Sequence, residues 1–153
     1  MKTTMKKVAA IVMVSVMALS MAACKKGAKK VSVDDFKKAC EEVGLTVEDL
    51  GGGDRAKEQY SASNSDGSLD VSYVVAENSS DAKKAFDMIT DSVDMLKEMG
   101  ADVKKSSGKI VVTMGDQMYS AALQSGDMFL SITASGDEEA VKTAKELASK
   151  LGI

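Results

Sequence analysis

The sequence predicts an α+β domain: one antiparallel sheet of about five strands with three helices mainly on one face, in the order αββαβββα. Three observations predict it. Leu69, Val71, Tyr73 and Val75 alternate with Asp70, Ser72 and Val74, the period of a half-buried strand. Ala82, Ala85, Phe86, Ile89, Val93 and Leu96 recur at helical spacing. Three strand-like runs, Lys109 to Met114, Gln117 to Leu123 and Met128 to Ala134, are separated only by Gly115-Asp116 and Ser125-Gly126-Asp127, the turns of a meander.

Taken in order, Ser32-Val33-Asp34-Asp35 starts the first helix, with Ser32 as N-cap and acid in the first turn. Phe36, Cys40 and Val43 form its apolar stripe, and Gly44 stops it. Cys40 on that stripe reads as a small buried hydrophobe. Thr46 to Asp54, with Gly51-Gly52-Gly53, reads as a flexible loop. Tyr60-Ser61-Ala62 reads as strand, and Asn64-Ser65-Asp66-Gly67 is turn chemistry leading into the alternating strand. Ser79 or Ser80 caps the long second helix, and Gly100 ends it. A Lys-Ser-Gly loop precedes the meander. Ser135 through Glu138 reads as a capping box for a final helix whose apolar face is Ala140, Val141, Ala144, Leu147, Ala148 and Leu151.

A shift of 59 residues lays Tyr60-Ser61-Ala62 on Tyr119-Ser120-Ala121, Gly67 on Gly126, Ser72 on Ser131, Lys83 on Lys142 and Ala85 on Ala144. The match points to an internal duplication of two α-plus-hairpin halves sharing one sheet.

Upstream of the domain, Lys2, Lys6 and Lys7 precede an uncharged, mostly apolar run from Val8 to Ala23, and Ala22-Ala23 stands before Cys24. This is the three-part layout of a secretory signal. About sixteen apolar residues fall short of the ~20 that cross a bilayer. Leu19-Ser20-Met21-Ala22-Ala23-Cys24 resembles the lipobox of bacterial lipoproteins, with Met21 where leucine is usual. The resemblance covers residues 1–24 and implies cleavage before Cys24, a diacylglycerol thioether on its sulfur, and an acylated new N-terminus, palmitate included. It implies a location on the extracytoplasmic face of the cell membrane or outer membrane, with the membrane as a partner through the lipid on Cys24. The organisation expected is a cleaved signal over 1–23, a lipidated Cys24 with a basic tether over 24–31, and a single domain over 32–153.

Composition narrows the function. Three of the twenty basic residues lie in the signal and four in the tether, so thirteen face twenty-three acidic residues in the domain, a net charge of −10. Such a surface disfavours nucleic acid. Histidine is absent, which removes a Ser-His-Asp triad and the usual zinc ligands. Ser80-Asp81-Ala82-Lys83 spells S-x-x-K but lacks the companion motifs of penicillin-recognising enzymes and reads as a helix cap with a solvated lysine. Asn64, Asp66, Ser68 and Asp70 alternate oxygens, but Gly67 falls in the fourth position instead of the sixth and Val75 in the twelfth, so a turn is the better reading than a calcium loop. Ser107-Gly108-Lys109 lacks the parts of a phosphate loop. Met88, Met95, Met99, Met114, Met118 and Met128 read as core filling and rim packing in preference to copper ligands.

One feature suits a partner. Asp87, Asp91, Asp94 and Glu98 fall at i, i+4, i+7 and i+11 of the second helix and form one acidic stripe. The expectation is a non-catalytic binding or interaction module, with no cofactor, no metal and no catalytic residues, whose stripe docks a basic protein or peptide. A small-ligand or cation-binding lipoprotein would instead need a pocket beside the triple glycine. A small envelope enzyme working through Ser, Lys or carboxylates would need paired carboxylates with shifted pKa values.

Overall fold

The computed structural model describes residues 28–153; Cys24 and the segment expected to be a signal lie outside them. Ten elements follow one another: α1 Val33–Glu42, β1 Thr46–Gly53, β2 Ala56–Ser63, β3 Leu69–Ala76, α2 Ser79–Glu98, β4 Asp102–Ser106, β5 Lys109–Met114, β6 Met118–Ser125, β7 Met128–Ser135 and α3 Glu138–Lys150. The strands form one antiparallel sheet of seven in the order β1-β2-β3-β7-β6-β5-β4.

The expected count of about five strands is therefore corrected to seven, and the order to αβββαββββα. Both added strands are edges. β1 replaces the expected flexible loop, and of its eight residues only Val47 is half-buried. β4 buries only part of Val103. A strand that sinks one side chain leaves no alternating pattern to read.

The placement of the helices is also corrected. Leu69, Val71, Tyr73, Leu130, Ile132 and Ala134 lie on one face, here face A, and pack with Phe36 and Cys40 of α1 and Val141, Ala144 and Leu147 of α3. Ala76, Ala122 and Phe129 lie on the opposite face B, under Ala82, Ala85, Phe86 and Ile89 of α2. Ile110 and Val112 continue that face under Val93 and Leu96. Helices thus cover both faces. The cause is the connection α2 makes. β3 and β4 run parallel, and α2 must carry the chain from the sheet centre past β7, β6 and β5 to the far edge. A crossover between parallel strands is right-handed, and with β4 on the β7 side of β3 that hand requires face B.

The offset of 59 persists in places: β3 and β7 begin 59 residues apart, and so do the N-caps Asn78 and Asp137. Yet α2 lies on face B and α3 on face A. The hairpin registers differ too, Ser61 pairing with Ser72 but Ser120 with Thr133. Two equivalent α-plus-hairpin halves with helices on one face are excluded. The caps are Asn78 and Asp137, in place of the expected Ser79 or Ser80 and Ser135; Asn78 accepts the Asp81 N–H, and Asp137 accepts those of Glu139 and Ala140.

The segment Ala28–Val31 is pinned to one end of the sheet. Ala28 packs against Gly108, where a Cβ would lie 3.0 Å from the Ala28 Cβ and 2.5 Å from the Gln124 carbonyl oxygen. Lys30 Nζ meets Asp127 Oδ1 at 2.6 Å. Tyr73 donates its hydroxyl to the Val31 carbonyl at 2.7 Å, and its ring stacks on Phe36 at 4.9 Å.

Candidate functional site

α2 carries the candidate site because its twenty residues pack along one side only. Ala82 and Val93 are buried beneath it, and Phe86, Ile89 and Leu96 are partly buried around them. The structure keeps the four expected carboxylates together on the outer side. Lys83 Nζ lies 2.6 Å from Asp87 Oδ2, and Lys105 Nζ lies 2.9 Å from Asp94 Oδ1. Asp91 and Glu98 make no ion pair among the described residues.

Beside that stripe runs a row that the sequence reading assigned wrongly. Met88, Met95 and Met99 are 72%, 69% and 68% exposed. They sit at i, i+7 and i+11, and Ser92 completes the row at i+4 with its hydroxyl donated back to the Met88 carbonyl at 3.1 Å. These methionines fill no core. Each follows one residue after a carboxylate of the stripe, so about 100° of rotation separates the two rows. The signal that could have found them was the same spacing arithmetic that found Asp87, Asp91, Asp94 and Glu98. Three long apolar side chains over about 16 Å of helix are apolar area left in water.

The other three methionines lie elsewhere. Met114 and Met118 pack under α2, and Met128 is fully buried on face A. The six do not converge, which removes the copper arrangement. Cys40 is fully buried between α1 and the sheet, where desolvation pushes its thiol up to about 12. Lys83 of the S-x-x-K motif is engaged with Asp87. In the β2–β3 turn, Asp66 Oδ1 accepts both the N–H and the hydroxyl of Ser68, and Asn64 Oδ1 accepts the Leu69 N–H. Those oxygens hold the turn, and the Ser68 bonds hold the Asp66 carboxyl below its ordinary value. No group of three or more acidic or thiol side chains able to hold a metal occurs among the described residues.

Two further carboxyls are shifted, both downward: Glu42 by its hydrogen bond from Lys150, and Asp127 by its hydrogen bond from Lys30. Downward shifts from ion pairing are those of structural anions, whereas a general acid needs an upward one. A depression lined by Asp116, Gln117, Gly136 and Glu138 lies beside the β5–β6 turn, at the end of the sheet opposite the triple glycine. No helix among the described residues is long and apolar enough to cross a membrane.

Comparison of the chain with protein-family models, with curated proteins and with solved structures gives no match.

Proposed function

We propose that this chain is a lipid-anchored, extracytoplasmic interaction module without catalysis, whose docking surface is the outer side of α2 and whose partner is a basic protein or peptide. The observation that carries it is the row of Met88, Met95 and Met99, each more than two-thirds exposed, alongside the stripe Asp87, Asp91, Asp94 and Glu98. Methionine is a flexible, polarisable contact that adapts to a partner surface. Burying each side chain contributes about 1.5–3 kcal/mol on the usual area scale. The carboxylates add sign and orientation more than strength.

The anchor reading rests on the lipobox resemblance at Cys24. Two or more acyl chains on one residue hold a protein durably, at about 0.8 kcal/mol per buried methylene. The packing of Ala28 on Gly108 supports a close attachment. Only Lys25, Lys26 and Gly27 separate Cys24 from Ala28, a reach of at most about 14 Å. The end of the domain holding the β4–β5 and β6–β7 turns would then rest near the lipid, with α2 running away from it. The domain lies on the extracytoplasmic face of the cell membrane or outer membrane.

The test is crosslinking from intact cells, comparing the natural chain with a variant carrying Asp91→Asn and Asp94→Asn. The natural chain is expected to retain a basic partner that the variant loses. Equal recovery by both would remove α2 as the docking surface.

A further inference from the structure

We infer that the partner presents a basic amphipathic helix, and that this helix lies in the ledge between the methionine row and the uncovered part of face B. The inference rests on the function proposed above and names the form of the partner at that same surface.

Face A carries two helices, α1 and α3, whereas face B carries only α2, which crosses the Ala76 end of β3 and packs over β7, β6, β5 and β4. The rest of face B is uncovered. Its register places Ser61, Ser72 and Ser131 in one row across β2, β3 and β7, and Ser63, Asp70 and Thr133 in the next. The first three are half-buried and the other three exposed. This floor holds hydroxyls and a carboxylate and no cation. Three strands span about 14 Å, and a helix with its side chains needs about 10–12 Å.

The right-handed crossover sets which side of α2 overlooks the floor. With α2 on face B and β4 beyond β5, it turns the carboxylate stripe toward β4 and the methionine row toward β7 and β3. The Asp94–Lys105 pair, 2.9 Å long, joins α2 to β4 on the side this requires. The ledge therefore has an apolar wall, Met88 to Met99, and a hydroxyl floor. A helix with one apolar side and polar flanks matches both surfaces.

Charge selects the sign of that helix. Asp70 lies in the floor, Asp91 and Glu98 stand over the crest, and the domain carries a net −10. A second copy of this chain would bring the same sign, and so would an anionic bilayer. The sheet edges suit a basic strand poorly. The β4 edge carries Lys104 and Lys105, and β1 is irregular between Asp49 and Gly53, which interrupts a regular ladder.

The probe is a synthetic Leu/Lys amphipathic peptide of about fourteen residues, long enough for a stable turn on contact. The chain from residue 24 with Cys24→Ser, which retains every described residue, is titrated with it while methionine methyl resonances and affinity are followed. The methyls of Met88, Met95 and Met99 are expected to shift and that of Met128 to stay. Met95→Gln with Met99→Gln is expected to weaken binding at least about tenfold, and Ser72→Lys with Thr133→Lys by about the same factor. A peptide of the same composition broken by a central proline is expected to bind far more weakly. If the floor pair has no effect while the methionine pair does, the ledge is overturned and the docking role of α2 stands. Equal binding of the proline peptide overturns the helical form alone. If neither pair has an effect, both readings fall. Concentration-dependent dimerisation lost on Met95→Gln, or capture of the chain by anionic vesicles through the same methionines, would replace the helix with those occupants and overturn the inference.

Discussion

Cys40 shows how far burial alone can silence a reactive group. It sits on the apolar stripe of α1, fully buried, with its thiol pushed up to about 12 by desolvation and by the charge of Glu41. With a folded value near 12 against an ordinary 9.0, the thiol costs nothing below pH 9. Above it, ionisation favours the unfolded chain, so stability falls as pH rises from 9 toward 12. In a Cys24→Ser chain, a thiol reagent at pH 8 should therefore react only after denaturant is added; prompt reaction in the native protein would show that Cys40 opens to solvent. The burial of Cys40 was legible in the spacing of Phe36, Cys40 and Val43. The exposure of Met88, Met95 and Met99 was equally present in the spacing but was masked by residue type, because methionine counts as apolar wherever it stands. Since these three touch no core, changing them all to Gln should leave the melting temperature within a few degrees of the natural chain. A large drop on calorimetry would mean that they are packed.

Among the elements, those that bury a face were legible and those that do not were misread. β3 buries Leu69, Val71 and Tyr73 at every second position with Asp70, Ser72 and Val74 less buried between them, and α3 buries Ala140, Val141, Ala144, Leu147 and Ala148. β1 and β4 bury almost nothing, and the glycines of β1 suggested a loop. Glycine serves a different purpose there. Gly51 takes a positive φ at the irregular pairing, and a Cβ on Gly52 would approach the Lys57 carbonyl oxygen to 2.8 Å. Gly52→Ala should destabilise the protein by about 1–3 kcal/mol, while Gly53→Ala, with open space around it, should cost well under 1 kcal/mol. Urea titration of the two variants checks the difference, and equal midpoints would contradict the close approach. The segment Ala28–Val31 has its own control. The hydrogen bond from Lys30 holds the Asp127 carboxyl below its ordinary 3.8. The stability this pair contributes is present above pH 3.8 and is lost as pH falls through the lower folded value. The Val31 carbonyl carbon resonance, which reports the bond from Tyr73, should move toward its unfolded value below that pH, and at neutral pH in Asp127→Asn; an unchanged resonance in the variant would show that the segment is held without the ion pair.

At the scale of the molecule, the sequence foresaw a sheet with helices but not their distribution on two faces. The reason lies in the connection between β3 and β4, an edge strand absent from the expected order. Once β4 exists, handedness carries α2 to face B, with the acidic stripe on its β4 side and the methionine row on the side of the open hydroxyl floor. A docking surface of this kind should be salt-sensitive. Raising ionic strength from 0.05 to 0.5 M shortens the screening length from roughly 14 to roughly 4 Å and should slow association more than it speeds dissociation. The most direct measurement places a photo-crosslinking amino acid at position 95 of the full-length chain in intact cells, with position 142 on the outer side of α3 as control. The docking role of α2 predicts a basic partner crosslinked from position 95, absent from position 142, and lost when Asp91→Asn and Asp94→Asn are added. The same product from both positions, or a product at position 95 that survives the Asn changes, would contradict it.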